Sequence, residues 1–194
     1  MDILKLFEKK GALLSGHFLL TSGLHSNKYF QCALLLQYPG IAGKIARMLA
    51  KKLLSEPGLA DSGIDCVLSP AVGGIVIGQE IARVLKCRAI FTERVDGKMT
   101  LRRGFYLNKD KNVLIAEDVV TTGGTTKELI QMAKEENARP AAACSIVDRG
   151  GDALDLGIPF VSLCKLKIDT FPQGSCPMCR ESIPLIKPGS RKTK

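Results

Sequence analysis

The stretch Val113-Leu114-Ile115-Ala116-Glu117-Asp118-Val119-Val120-Thr121-Thr122-Gly123-Gly124-Thr125-Thr126 decides how this chain reads. Four apolar residues run into two adjacent carboxylates. Two more apolar residues follow, then a cluster of hydroxyls and glycines, then helical spacing through Leu129, Met132 and Ala133. Val113 to Ala116 predicts a strand buried on both faces, as in a parallel sheet. The Thr/Gly cluster then falls at the carboxyl end of a strand and the amino end of a helix, where open α/β sheets bind ligands. Helix-start N–H groups, glycines that allow close backbone approach and threonine hydroxyls make an anion cradle, best suited to a phosphate. The carboxylates before it suit sugar hydroxyls or a hydrated Mg2+. The plain alternative is a strand-to-helix turn capped by Thr125. A cap does not need two carboxylates at the end of a buried strand, where an unpaired charge is costly. Other phosphate loops are excluded: there is no Gly-x4-Gly-Lys-Ser/Thr and no Gly-x-Gly-x-x-Gly after a strand.

Bulk properties set the frame. A length of 194 residues fits one domain with a sizeable core. No apolar run reaches membrane-spanning length and the N-terminus lacks signal-peptide shape, so a cytoplasmic protein without a membrane partner is expected. Seven cysteines are an odd number. Those in apolar strands (Cys66, Cys144, Cys164) behave as small hydrophobes, and no disulfide framework is expected. The net charge of +9 is dispersed, with short clusters at Arg102-Arg103 and Arg191-Lys192-Thr193-Lys194. Such charge fits nucleic acid or a small polyanion. The small anion is favoured, because the phosphate loop is specific and the charge is not.

Along the chain, Asp2 to Lys9 has helical spacing. Gly16 to Gly23 and Lys28 to Gln37 read as strands around a polar turn, Leu24 to Asn27. Pro39 to Leu54 reads as an amphipathic helix with Pro39 in its first turn. Cys66 to Leu68, Ala89 to Thr92, Ala141 to Val147 and Phe160 to Lys165 read as strands, and Ile75 to Leu85 as a helix. Strands alternating with helices imply βαβ units and a parallel sheet flanked by helices, an α/β fold. A single domain, 1–194, is expected: an N-terminal hood (1–37), a core (38–165) and a C-terminal extension (166–194).

The signature stretch resembles the phosphoribosyl-pyrophosphate (PRPP) motif of the type I phosphoribosyltransferases. The resemblance implies that Glu117 and Asp118 contact the ribose hydroxyls. It also implies that Thr121, Thr122, Gly123, Gly124, Thr125 and Thr126 bind the 5′-phosphate. Ser69-Pro70-Ala71-Val72-Gly73-Gly74 resembles that family's pyrophosphate loop, with Ala71, Val72, Gly73 and Gly74 as contacts. Many relatives place a Lys there where this chain has Gly73.

Val147-Asp148-Arg149-Gly150-Gly151 resembles the Asp-Arg of orotate phosphoribosyltransferases, in which the Arg grips orotate. A guanidinium suits a planar acid because it can pair with it bidentately. Leu20-Thr21-Ser22-Gly23-Leu24-His25-Ser26-Asn27-Lys28-Tyr29-Phe30 resembles the hood segment that covers the base. His25 or Lys28 is then a polar contact, and Tyr29 and Phe30 are candidates for stacking on a pyrimidine or for core packing.

The basic segment from Glu93 to Gly104 resembles a lid loop. Arg94, Lys98, Arg102 and Arg103 are its cations, and the His usual in that lid is absent. The order of motifs matches orotate phosphoribosyltransferases over about residues 10–165. Together with the Cys-Pro-Met-Cys end, it resembles their Thermus-type branch most. Implied are PRPP and orotate as substrates, Mg2+ as cofactor, Asp118, Glu117, Lys98 and Arg94 as catalytic groups, and a homodimer in which the basic loop completes the neighbouring site. A purine phosphoribosyltransferase and a non-enzymatic PRPP- or nucleotide-sensing regulator are the alternatives.

Cys176-Pro177-Met178-Cys179 supplies half of a tetrahedral Zn2+ site. Further ligands would have to come from other cysteines, from His17 or His25, or from a second subunit. The favoured reading is a turn packing small thiols, with no metal ligand assigned.

Overall fold

The computed structural model describes residues 2–20, 22–59, 63–166 and 168–188. The backbone divides into two units, Met1–Leu34 with Lys167–Lys194, and Leu35–Leu166. Most of the expected hood and nearly all of the expected C-terminal extension fall in the first unit. Thr21 of the hood motif and the tail 191–194 lie outside the described residues.

In the first unit, α1 (Ile3–Lys9) starts at Asp2, whose carboxylate accepts the Lys5 N–H at 3.3 Å. Its buried Phe7 meets Phe30 edge-on, with ring centroids 4.9 Å apart. β1 (Leu13–Leu19) and β2 (His25–Phe30) pair antiparallel, and α2 (Ala33–Leu36) follows. Late in the chain, β9 (Thr170–Phe171) adds to the other edge of β2, and α6 (Pro177–Arg180) comes after it.

Two expectations need correction here. The reversal falls at Leu20–Leu24, not Leu24–Asn27: the Leu20 N–H donates to the Leu24 carbonyl, and Gly23, at φ +82°, takes the left-handed position. His25 to Asn27 are therefore strand residues. Residues 33–36 are helical rather than extended, as Ala-Leu-Leu-Leu, without β-branched residues, favours.

The second unit holds α3 (Pro39–Leu54), β3 (Cys66–Pro70), α4 (Gly73–Leu85), β4 (Arg88–Val95), β5 (Lys98–Leu101), β6 (Asn112–Val120), α5 (Gly124–Glu135), β7 (Arg139–Asp148) and β8 (Phe160–Lys165). The sheet order is β5-β4-β3-β6-β7-β8, parallel throughout except for β5. β4 turns into β5 through Asp96-Gly97, both at positive φ, as a two-residue hairpin requires. The α3 helix buries Ile45, Leu49 and Leu53 and ends on Lys51 and Lys52, which suit the negative end of the helix dipole.

Period-2 geometry splits β6 between the two faces of the sheet. Val113 and Ile115 join Leu68, Ile90, Leu129 and Ile130 in one buried cluster. The other face is covered by α4, which approaches β3 closely enough to need glycine. A Cβ on Gly78 would lie 1.9 Å from Ser69 Oγ; one on Gly74 would lie 2.9 Å from Pro70 Cδ and 3.0 Å from the Ala116 carbonyl.

The Gly74 contacts are with backbone or ring atoms that cannot swing aside. Gly74→Ala is expected to destabilise the protein by about 1–3 kcal/mol through overpacking. That exceeds the gain of up to about 1 kcal/mol from replacing a helical glycine. A urea midpoint equal to that of wild type would contradict the close packing of α4 on β3.

Candidate active site

The sheet order reverses direction between β3 and β6. From β3 the chain moves outward to β4 and β5, then returns to the opposite side of β3 as β6 and continues to β7 and β8. The crevice outside the carboxyl ends at such a switch point is where doubly wound sheets bind ligands. Three loops open there in adjacent register: residues 71–73 after β3, 121–123 after β6 and 149–150 after β7.

The alternation of β6 sends the two carboxylates to opposite faces. Glu117 follows Val113 and Ile115 toward α5 and is 7% exposed. The Thr126 hydroxyl donates to its Oε1. Asp118 follows Leu114 and Ala116 toward α4 and lies against Gly73. A Cβ at Gly73 would stand 2.6 and 2.7 Å from the two Asp118 carboxylate oxygens. A side chain at position 73 would therefore meet the aspartate. Desolvation pushes the Asp118 pKa above the usual carboxylate range, and the backbone N–H groups of Val119 and Asp118 oppose the rise.

The signature loop leaves Thr121 and Thr122 exposed, Thr125 half-buried and Thr126 buried. No side chain caps α5. Its N-cap is Gly123, left-handed at φ +74°. A Cβ there would stand 2.8 Å from both Leu154 Cδ1 and Leu156 Cδ2. The start of α5 presents N–H groups and the positive end of its dipole to the loop. Arg149 is held beside it by its own N–H, which donates to the Val120 carbonyl at 2.8 Å. Gly150 presses on the same loop: a Cβ on it would be 2.5 Å from the Thr121 carbonyl. Buried Asp148 fixes this turn by accepting the Gly150 N–H at 2.8 Å and the Gly151 N–H at 3.3 Å. Before β3's helix, Ala71 is half-buried while Val72 and Gly73 are exposed.

The arginines of the basic segment are engaged with acids. Arg94 forms a forked pair with Glu128 of α5, at 2.9 Å on one side, and Glu128 also accepts the Met99 N–H at 2.6 Å. Arg102 and Arg103 share Glu93 at 3.2 and 2.5 Å. Lys98 is exposed at the start of β5. Exposed pairs of this kind contribute about 0–1 kcal/mol each, so an incoming anion can displace them. Glu128 went unnoticed in the sequence, because its pairing with Arg94 depends on the position of α5 over the hairpin.

In the other unit, Lys28 and Tyr29 are half-buried. Phe30 is buried against Phe7, and His25 is buried with its Nδ1 2.7 Å from His17 Nε2. His17, which the sequence offers only as one possible partner of Cys176 and Cys179, lies in β1 beside His25.

Comparison with known proteins agrees with this fold. The phosphoribosyl transferase domain family matches residues 33–177. The orotate phosphoribosyltransferase of Carboxydothermus hydrogenoformans is 48% identical over 192 residues, covering 99% of this chain and 98% of that one. The orotate phosphoribosyltransferase of Thermotoga maritima is 43% identical, covering 99% and 100%. The crystal structure of orotate phosphoribosyltransferase from Aeropyrum pernix superposes with a TM-score of 0.69 at 26% identity, over 86% of this chain and 94% of that one. Identity of this order along nearly the whole of both chains places the protein within the phosphoribosyltransferases, and it belongs to their orotate phosphoribosyltransferase family.

Proposed function

We propose that this chain transfers the ribose 5-phosphate of PRPP to a ring nitrogen of orotate, giving orotidine 5′-phosphate and pyrophosphate, a step of pyrimidine nucleotide synthesis. The observation that carries the reading is the convergence of Asp118, the Thr121–Gly124 loop and Arg149 at one switch point, in a chain whose relatives carry that activity by name. The bond from ribose C1′ to pyrophosphate lengthens, positive charge grows on the ribose, and the base nitrogen attacks from the opposite face. Orotate brings its own anionic nitrogen, so no strong general base is needed. Catalysis rests on alignment and on charge neutralisation.

Asp118 faces the ribose and stabilises its developing charge. Glu117 acts one step back: through Thr126 it fixes the first turn of α5, whose N–H groups and exposed Thr121 and Thr122 take the 5′-phosphate. The N–H groups of 72–74 take pyrophosphate. Arg149 grips the planar base and its carboxylate. Of the hood residues, Lys28 and Tyr29 keep partly exposed side chains and stay in this reading, while buried His25 and Phe30 leave it. Arg94, Lys98, Arg102 and Arg103 neutralise pyrophosphate, with the hairpin serving the neighbouring site of a homodimer in the cytoplasm.

The donor set suits Mg2+, a hard cation that keeps several waters and needs few carboxylates. Asp118 would hold it through its water shell beside the oxygens of PRPP. When bound, Mg2+ supplies charge neutralisation and a template for the departing pyrophosphate.

The test is turnover with PRPP and Mg2+ against orotate, uracil, adenine, hypoxanthine, guanine and xanthine. Loss of orotate absorbance with pyrophosphate release is expected for orotate alone. Activity with a purine alone would overturn the acceptor, and PRPP binding without turnover would point to a regulator. Arg149→Ala is expected to lower kcat/KM for orotate by about 100-fold or more, as loss of a group that must hydrogen-bond the substrate does, with PRPP affinity unchanged. Equal losses for both substrates would remove Arg149 from base recognition.

Asp118→Asn separates activity from stability. Because the folded-state pKa is raised, ionised Asp118 opposes folding above the ordinary carboxylate range and not below it. The variant is expected to lose about 100-fold or more in kcat. Its Tm should exceed that of wild type at neutral pH, and this gain should vanish in acid. A Tm below wild type at neutral pH would show that the carboxylate stabilises the fold.

A further inference from the structure

Four side chains outside the transferase site converge in the first unit. His17 comes from β1, His25 from the start of β2, Cys176 from the N-cap of α6 and Cys179 from within α6. One ligand atom from each lies within 4.8 Å of all the others. Cys176 Sγ is 3.5 Å from His17 Nε2, and Cys179 Sγ is 3.7 Å from His17 Nε2 and 3.3 Å from His25 Nδ1. Donors at tetrahedral Zn2+, with Zn–N of about 2.0–2.1 Å and Zn–S of about 2.3 Å, stand roughly 3.3–3.8 Å apart. These three sulfur–nitrogen distances already match. The two nitrogens, 2.7 Å apart, need to open, and any pair near the 4.8 Å limit of the cluster needs to close.

We propose that His17, His25, Cys176 and Cys179 form a closed His2Cys2 site for Zn2+, which ties the C-terminal segment to the N-terminal hairpin. This replaces the sequence-based expectation that Cys176 and Cys179 pack as small thiols with no metal ligand.

Three features favour an ion over a cluster of hydrogen bonds. The first is orientation. His17 Nδ1 lies 2.7 Å from the Ile183 carbonyl, so it carries the proton and leaves Nε2 as the bare nitrogen facing the sulfurs. Metal-bound histidines are held by such an outer contact. The second is burial. His17 and His25 are each 2% exposed and Cys176 is 0% exposed. Two thiolates neutralise Zn2+, so the complex carries no net charge into that interior, and the two thiol protons leave to solvent on binding. The third is need. Outside this cluster, the segment holding the two cysteines is joined to the hairpin by the short β9 pairing and by a bridge at Phe18 and Ile186. A structural metal is one of the staples that small units use. Four protein ligands, three of them buried, leave no open position for substrate, so the site is structural rather than catalytic. Soft sulfur with imidazole selects zinc over Mg2+. The proposal does not rest on the transferase reading.

The test is metal analysis of the full-length protein purified from zinc-replete medium. About one zinc per chain is expected, as for a closed four-ligand site. Cys176→Ser with Cys179→Ser should reduce it to background, and the control Cys87→Ser should leave it unchanged. If the double variant fails to fold, wild type loaded with Co2+ decides. Tetrahedral d–d bands with thiolate-to-cobalt charge transfer support the site. A strong chelator should strip the ion and lower the Tm. Background zinc in wild type, a cobalt spectrum without thiolate bands, or full zinc in a folded double variant would each overturn the proposal.

Discussion

The close approach of Gly73 to Asp118 is the constraint on which the site depends. It exists because β3 and β6 are neighbours across the reversal of strand order, so the loop after one lies against the last residues of the other. A side chain at position 73 would occupy the space of the Asp118 carboxylate. The same tightness continues down α4, where Gly74 and Gly78 let the helix settle on Pro70, Ala116 and Ser69. An anion loop of bare backbone and a carboxylate held beside it are thus one feature seen from two strands.

Sheet geometry gives the two acids different surroundings. Adjacent residues on a strand face opposite ways, so Glu117 and Asp118 leave β6 on different faces. Glu117 is buried on the α5 side and takes the Thr126 hydroxyl, which sets the helix start against the strand end. Asp118 stands on the α4 side, poorly solvated and raised in pKa. A desolvated carboxylate is costly for stability and strong for electrostatic work, which is the usual compromise of a reaction site.

Much of the second unit was legible because its signals are local. The apolar run into Glu117-Asp118, the helical spacing of Pro39–Leu54 and the alternation of strands with helices each follow from neighbouring residues. The β4–β5 hairpin was announced by Asp96-Gly97 but obscured by the charges around it. The pairing of Arg94 with Glu128 spans 34 positions, and no pattern in the sequence predicts it. The hood was read less well. Its true reversal rests on one left-handed glycine, Gly23, while the polar residues His25 to Asn27 look like a turn and are strand. The cluster of His17 with Cys176 joins residues 159 positions apart, which only the fold can bring together.

The account stands or falls on Asp118 being held in place by the bare backbone of Gly73. The direct measurement is steady-state turnover of PRPP and orotate by Gly73→Ala, with its thermal unfolding recorded beside it. Gly73 is exposed and does not require a left-handed backbone, and the three atoms nearest an added methyl all belong to the Asp118 carboxylate. The predicted result is a Tm near that of wild type and a kcat/KM lower by about 100-fold, the scale on which displacing a catalytic group by about an ångström acts. Wild-type kinetics in Gly73→Ala would show that the position of Asp118 does not govern the reaction.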